Sequence, residues 1–319
     1  MKLVIQIPCL NEAETLPRVV DDLPKAIPGV DEIAVLVIDD GSTDRTSEVA
    51  RSVGVDHIVR LRRTQGLARV FIAGLAASVD LGADVIVNFD ADNQYRGDDI
   101  AKLIAPILAG EAEMVIGDRG VESVIHFSPA KKTLQRLGSW VVRKVSATDV
   151  PDATSGFRAL SREAALRMNV VTEFTYTLET IIQAGKQRLA LAHVPVGTNP
   201  QLRPSRLFST TWDYLKRSTV SLIRIYTHYE PLKTFSLVGL VFFGAGTLIG
   251  LRFLYDYWLG FGAGKVQSLI LAAVLLIVGV QIGLIGLIGD TIVANRRLTE
   301  EILYRLRRTE ERSTRDRSR

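Results

Sequence analysis

Two carboxylates two residues apart, Asp90 and Asp92, follow an apolar run in the segment VIVNFDADNQY, and Gln94 stands two residues further on. On an extended segment, residues at i, i+2 and i+4 point the same way, so three oxygen-bearing side chains would converge on one point. Like charges gathered there are costly unless a cation lies between them. Paired carboxylates serve either as general acid and base, as in glycoside hydrolysis, or as ligands of a hard cation. Two on one short loop, beside an amide oxygen, suit a shared ion better than the opposite faces of a scissile bond. An Mg2+ or Mn2+ ion held by one or two carboxylates, with its other positions left to water and phosphate, is the usual arrangement for diphosphate substrates. No G-x-x-x-x-G-K-S/T phosphate loop accompanies it: the segment at Gly260 has Val266 where Ser or Thr is required.

The elements around this pair predict an α/β domain. Before residue 120, short β-like runs alternate with helical patterns: LVIQI then Thr15 to Leu23, IAVLVID then Thr43 to Val53, HIVRL then Leu67 to Leu81, VIVNF then Asp99 to Leu108, and finally MVIG. Continuous apolar strands separated by helices form a mostly parallel sheet covered on both faces, with its ligand crevice beyond the carboxyl ends of the strands. PCLNEAE follows LVIQI, DDGSTD follows VLVI, and DADNQ follows VIVNF, so three strands deliver polar residues to one edge. Each loop alone is ordinary turn chemistry, whereas three on one edge predict a site. Further on, KKTLQRLGSWVVRKVS reads as a basic amphipathic helix and DVPDATSGFRALSREAAL as a loop, a short strand and a helix start. EFTYTLETIIQAGKQ reads as a helix ended at Gly185, and LALAHVPVG as a strand. Lys131, Lys132, Arg136, Arg158, Arg203 and Arg206 are cations suited to phosphate contact.

The 319 residues, 47% of them hydrophobic, suffice for one large domain or two smaller ones, but the apolar content is uneven. No charge occurs from Thr234 to Leu251 or from Val266 to Gly289. As helices these runs would reach roughly 27 and 36 Å, against a hydrocarbon core of about 30 Å, and they predict an integral membrane protein with two spans. The mixture of aromatic, aliphatic and basic residues from Thr211 to Tyr229 suits a helix lying in the membrane surface. Lys216, Arg217, Arg224 and Lys233 precede the spans, and Arg296, Arg297, Arg305, Arg307 and Arg308 follow them. The positive-inside rule therefore places both flanks, both termini and everything before Thr234 in the cytoplasm. The N-terminus, MKLVIQIPCLNEAE, turns polar too soon for a signal peptide, and the single Cys9 excludes an internal disulfide. The net charge of +4 is concentrated beside the spans, so membrane lipids and not nucleic acid are the expected partners of the basic residues. Gly283, Gly286 and Gly289 predict a close helix contact, open to a homo-oligomer's interface as well as to the chain itself.

IPCLNEAE, VIDDGSTD, FDADNQY and SGFRALSREA, in this order and followed by two apolar spans, resemble the family 2 glycosyltransferases, and within them the polyprenyl-phosphate glycosyltransferases. The resemblance covers residues 1–210 and implies a Rossmann-like GT-A nucleotide-sugar-binding domain there. After it would come a juxtamembrane amphipathic region at 211–231, two transmembrane helices at 232–294 and a basic cytoplasmic tail at 295–319. It implies that Pro8, Asn11 and Glu12 of the first loop and Asp39, Asp40 and Ser42 of the second hold the nucleotide, with Asp90 and Ala91 also on the nucleotide sugar. It further implies Asp90, Asp92 and Gln94 as ligands of Mg2+ or Mn2+, and Asp92, Asp152 and Arg158 as catalytic residues. LRPSRL supplies Arg203, Ser205 and Arg206 for the acceptor phosphate, in a tighter spacing than is usual in the family, with Lys131 as a further cation.

The implied reaction is inverting transfer of a sugar from a nucleotide-diphosphate sugar to dolichyl or undecaprenyl phosphate at the cytoplasmic membrane face. Three alternatives stand beside it. A processive polysaccharide synthase would carry Q-x-x-R-W and usually more spans, and QRLGSW at Gln135 does not fit; a nucleotidyltransferase would need a Gly-rich loop near the N-terminus; a non-catalytic membrane assembly protein would have no need of the intact acidic residues. A lipid phosphate, with a second pKa of about 6, is largely ionised near neutral pH and needs no strong general base. Asp152 accordingly reads as orienting the acceptor or taking a residual proton. Asp152→Asn is expected to lower kcat less than Asp92→Asn with the same lipid acceptor; equal losses in the two variants would refute that ranking.

Overall fold

The computed structural model describes residues 1–120, 139–140, 142–170, 176–199, 224, 226–227, 229–261 and 265–317. The chain divides into two units, Met1–Ser218 with Glu300–Arg319, and Thr219–Thr299. Lys131, Lys132, Arg136, Arg203, Ser205, Arg206 and most of 211–231 lie outside the described residues.

In the first unit the Val/Ile-rich runs become strands: β1 (Lys2–Cys9), β2 (Glu32–Asp39), β3 (His57–Arg60), β4 (Val85–Asn88), β5 (Met114–Asp118), β6 (Arg158–Ser161) and β7 (Leu191–Pro195). They pair in the order β3-β2-β1-β4-β6-β5-β7. Leu3, Ile5, Ile7, Val37, Val85 and Val87 are buried because helices cover both faces, which is why these runs are continuously apolar and do not alternate. Each such side chain withdrawn from water contributes about 1.5–3 kcal/mol. The helices are α1 (Leu16–Asp21), α2 (Thr46–Ser52), α3 (Leu67–Asp80), α4 (Asp99–Leu108), α5 (Arg162–Arg167) and α6 (Tyr176–Lys186).

All neighbouring strands run parallel except β6, which is antiparallel to both β4 and β5. That reversal matters for the site. Arg158 begins β6 and pairs with Asn88 at the end of β4 and with Ile116 on β5, so the S-G-F-R segment reaches the edge where the parallel strands end. Two sequence expectations need correction at that edge. Pro8 belongs to β1, opposite Ile38, and not to the loop after it. Asp90 to Gln94 is a turn and not an extension of β4: Asn93 has φ of 58°, and Asp92 Oδ1 accepts the Gln94 N–H at 3.0 Å. A short polar side chain tolerates that left-handed backbone, so the alternation rule does not orient these carboxylates.

The second unit is built on two helices long and apolar enough to cross a membrane. The first, α7 (Pro231–Trp258), has 28 residues, and α8 (Val266–Arg317) has 52 and carries on into the first unit. Their outward residues are widely exposed, as with Leu240 at 66% and Leu248 at 70%, which separates them from core helices of a soluble protein. Close approach requires glycine between them: a Cβ on Gly239 would lie 2.7 Å from the Gly279 carbonyl oxygen. A Cβ on Gly286 would meet Phe235 Cβ at 3.0 Å, and one on Gly289 would meet Pro231 Cβ at 2.8 Å. Of the three glycines singled out in the sequence, Gly286 and Gly289 thus serve contact within the chain, whereas a Cβ on Gly283 would meet nothing within 4 Å.

Candidate active site

The first two loops are laced to each other. Asn11, at φ of 57°, donates its N–H to Ser42 Oγ at 2.9 Å, and its Oδ1 accepts the Thr43 N–H at 2.8 Å and the Asp44 N–H at 3.3 Å. The Glu12 N–H goes to Thr46 Oγ1 at 2.9 Å. Asp39 is buried, accepting the Ser42 N–H at 2.8 Å and the Ser47 hydroxyl. Asp40 accepts the Gln65 and Gly66 N–H groups at 2.7 and 2.9 Å, tying in the loop before α3. Gly41, at φ of 71°, makes that approach possible, since a Cβ there would lie 2.8 Å from the Arg63 carbonyl carbon. The residues expected to hold the nucleotide thus form one wall, with Asp39, Asp40 and Ser42 shaping it from inside and Asn11 and Glu12 partly open.

One strand along from β1, roughly 5 Å at the usual strand spacing, the acidic turn leaves β4. Asp90 is half-buried, Ala91 buried, Asp92 exposed and Gln94 half-buried. An aromatic wedge fixes both ends of the turn: the Phe89 and Phe157 rings meet edge to face at 5.3 Å, and Tyr95 stacks on Phe157 at 4.9 Å. Residues 197–199 strap the turn from outside. The Asn199 N–H reaches the Gln94 carbonyl at 2.8 Å, Asn199 Nδ2 reaches the Tyr95 carbonyl at 3.1 Å, and the Gly197 N–H reaches Asp99 Oδ2 at 2.7 Å. On the inner side Gly156 lies so close that a Cβ there would sit 2.5 Å from Asp90 Oδ2. Burial and then the charge of Asp92 push Asp90 up to about 7, against the opposing influence of Arg119, Arg158 and a hydrogen bond from Asn88. The two carboxylates therefore stay within electrostatic reach of each other despite the turn.

Beneath them lies a charged group of which the sequence reading contained only part. Arg119, at the end of β5, makes a bidentate pair with Asp152, Nε to Oδ2 at 2.7 Å and Nη2 to Oδ1 at 3.0 Å, and Nη2 also reaches Thr154 Oγ1 at 2.9 Å. Burial alone would raise Asp152, but the charge and hydrogen bonds of Arg119, with those of Thr154, hold it below the usual carboxylate range. Burial likewise works against the Arg119 charge, and Tyr95, Asp152 and Asp90 more than restore it. Arg158 is fully buried. It donates Nε to the Ser155 carbonyl at 2.8 Å, Nη1 to the Thr177 carbonyl at 2.7 Å and Thr180 Oγ1 at 2.5 Å, and Nη2 to the Ala153 carbonyl at 3.1 Å.

Other residues absent from the sequence reading complete the floor. Asn88 accepts from Gln6 Nε2 at 2.9 Å and gives Nδ2 to the Gly156 carbonyl and Tyr176 Oη, each at 3.0 Å. Tyr176 in turn stacks on Phe71 at 4.0 Å. The carboxyl-end rule that selected the acidic loops also applies to VIGDR, where it would have found Arg119. Nothing comparable marks Tyr176, which arrives from α6.

The side chains of Asp90, Asp92 and Gln94 offer hard oxygens, and Asp90 is raised first by burial and then by the neighbouring charge of Asp92. Among the described residues, no group of three or more His, Cys, Asp or Glu side chains could chelate an ion unaided.

Residues 4–167 match the model of the family described as glycosyl transferase family 2. A UDP-N-acetylglucosamine–dolichyl-phosphate N-acetylglucosaminyltransferase of Methanococcus voltae is 30% identical, the match covering 60% of this chain and 83% of that protein. Glycosyltransferase AglJ of Haloferax volcanii is 28% identical over 92% of this chain and 94% of its own. Among solved structures, glucosyl-3-phosphoglycerate synthase from Mycobacterium tuberculosis, in complex with Mn2+, UDP-glucose and phosphoglyceric acid, superposes with a TM-score of 0.56. That match has 24% identity and covers 71% of this chain and 78% of that one, a likeness of fold.

Two outcomes follow from the charges. Asp90 has a folded-state pKa of about 7, above the ordinary carboxylate value of about 3.9. The folded chain therefore holds an extra proton between those values, and the stability this proton contributes is lost as pH rises through about 7. In protein treated with chelator, Asp90→Asn is expected to raise Tm clearly more at pH 8 than at pH 5, and least below pH 4; a shift of the same size at pH 8 and pH 4 would contradict the assignment. Asp152→Asn strands the buried Arg119 charge and is expected to cost about 3 kcal/mol. A double change of Arg119 and Asp152 to leucine should cost less than the sum of the single changes, which thermal unfolding of the three variants measures.

Proposed function

The chain belongs to glycosyl transferase family 2, and on that premise we propose that it transfers a sugar from a nucleotide-diphosphate sugar to a polyprenyl phosphate, with inversion, at the cytoplasmic face of a membrane. The observation that carries this reading is the meeting, at one sheet edge, of the Asp90–Asp92 turn with the loop that bears the buried Arg119–Asp152 pair, in a chain that also has two helices long enough to span a bilayer. The relatives named for dolichyl-phosphate N-acetylglucosaminyl transfer and as AglJ support the choice of acceptor class.

On this reading, the wall formed by Asn11, Glu12, Asp39, Asp40, Ser42 and Pro8 receives the nucleotide. Asp39 and Asp40 act mainly by holding the loops, since their oxygens already accept N–H and O–H groups. Asp90, Asp92 and Gln94 would hold Mg2+ or Mn2+, which when bound supplies positive charge for the diphosphate leaving group. Asp92, the exposed member, is the one placed to face the donor, with Ala91 and Asp90 behind it. Asp152 is ionised and already bonded through both oxygens to Arg119 and Thr154, so its part is to orient and not to take a proton. Arg158 becomes a positioning residue: its donors hold the loop from Ala153 to Ser155 under the acidic turn. Arg119 joins Lys131, Arg203, Ser205 and Arg206 as the cationic and polar set that would let an anionic acceptor approach an anionic donor.

The test is direct. Membranes containing the full chain are incubated with radiolabelled UDP-glucose, UDP-N-acetylglucosamine or GDP-mannose and with undecaprenyl or dolichyl phosphate, and the lipid is extracted. One donor is expected to give a mild-acid-labile labelled lipid whose formation stops with EDTA and returns with Mn2+ or Mg2+. Label in a polymer would favour the processive synthase, and nucleoside diphosphate release without lipid product would remove the acceptor from the proposal.

A further inference from the structure

The part of α8 beyond the apolar run reads in sequence as a basic tail, yet it is helical to Arg317, and residues 300–319 belong with the sheet-containing unit. One residue breaks the pattern of this exposed stretch. Tyr304 is 8% exposed, while Leu298, Ile302 and Leu306 are 64%, 59% and 56% exposed. Its hydroxyl donates to Glu163 and accepts from Arg308 Nη1 at 3.1 Å. Two guanidinium groups lie over its ring, that of Arg167 at 4.9 Å and that of Arg308 at 5.9 Å. One turn on, Arg307 Nη1 donates to the Leu166 and Met168 carbonyls at 3.2 and 2.8 Å. These are carbonyls at the C-terminal end of α5, where a helix leaves acceptors unpaired and a positive charge is favoured. Glu163 and Arg167, which receive Tyr304, are themselves paired at 2.9 Å.

The contact is thus built from a buried aromatic ring, one cation–π contact across it from Arg167 and a helix cap, with Arg308 of the same helix against the ring as well. α5 follows directly on β6, the strand that starts with Arg158. We propose that residues 300–317 are a docking arm that holds the catalytic unit to the end of the second long apolar helix, with Tyr304 and Arg307 as positioning residues for reaction with an acceptor confined to a bilayer. This rests on the proposed function for the nature of the acceptor. The chain leaves the catalytic unit for the apolar unit between Ser218 and Thr219, and returns to it between Thr299 and Glu300 along one uninterrupted helix. A unit held at two points samples fewer orientations than one held at a single point. Reaction with a membrane-borne partner then gains in effective concentration, while reaction with a dissolved partner gains nothing. Arg307, a basic residue that could have served lipid headgroups, is turned onto the chain's own surface instead.

The experiment uses the full chain in phosphatidylcholine–phosphatidylglycerol vesicles, with the sugar nucleotide that the wild type accepts. Undecaprenyl phosphate in the vesicles is compared with a water-soluble two-isoprene phosphate. Tyr304→Ala and Arg307→Ala are expected to raise KM for the vesicle-borne acceptor about 100-fold, the lower end of what loss of a second tether does. KM for the sugar nucleotide and the rate with the soluble acceptor should not change. Tyr304→Phe, which keeps the ring against the arginines, should have a smaller effect. Hydrogen exchange supplies the independent readout: both alanine variants should speed exchange at 163–168 as well as at 300–310. Unchanged exchange at 163–168 would overturn the dock, and equal losses with both acceptors would overturn the positioning role. Should no donor yield a glycolipid, the proposed function fails, and the exchange pattern still decides whether the arm docks.

Discussion

Negative charge gathered at the end of a sheet must be balanced where it stands, and much of this fold is arranged around that need. Asp90 sits half-buried between Asp92 and Gly156, and the only positive groups that oppose its rise among the described residues near it are Arg119 and Arg158. Neither arginine is free to move toward it. Arg119 is locked by two hydrogen bonds to Asp152, and Arg158 is spent on three carbonyls and a hydroxyl. The compensation is therefore partial and fixed, and on the proposed reading a divalent cation would supply the rest. A fully neutralised turn would have less affinity for a cation, and an uncompensated one would weaken the fold.

That arrangement depends on the reversal of one strand. Were β6 parallel to its neighbours, its amino end would lie at the opposite edge, and the loop of Asp152, Thr154 and Gly156 would be carried away from the acidic turn. Antiparallel pairing with β4 and β5 instead puts Asn88, Arg158 and Ile116 in one row. The aromatic wedge of Phe89, Tyr95 and Phe157 then fills the space behind the turn. Its rigidity matters because a carboxylate pair can share an ion only if neither arm swings away.

Two problems of substrate delivery meet in this chain on the proposed reading. A water-soluble nucleotide sugar has to be held by interlocked loops, and a lipid phosphate has to be met at a surface. The first is served by hydrogen bonds among the loops after β1, β2 and β3, which spend side-chain oxygens on shape. For the second, the helix pair α7 and α8 supplies apolar length, and the same helix α8 ends against α5.

Much of this architecture was legible in the order of residues alone. Strand and helix periods are local, so β1 to β5, α3 and α4 stand close to where the apolar patterns place them, and the charge-free runs marked the two long helices. The acidic loops were legible because parallel strands with helical crossovers send every strand end to one edge, a rule that needs no coordinates. Pairings between distant segments were not. The antiparallel insertion of β6 between β4 and β5, the partnership of Arg119 with Asp152 and the arrival of Tyr176 beneath Asn88 join residues 33 to 88 positions apart. No local pattern encodes such distances. Likewise, the turn at Asn93 replaced the expected extension, and Tyr304 found Glu163 across 141 residues. Composition and spacing determined which chemistry this chain could attempt. Only the packed structure decided which charges were already spent, because burial and partnership are properties of neighbours in space and not in sequence.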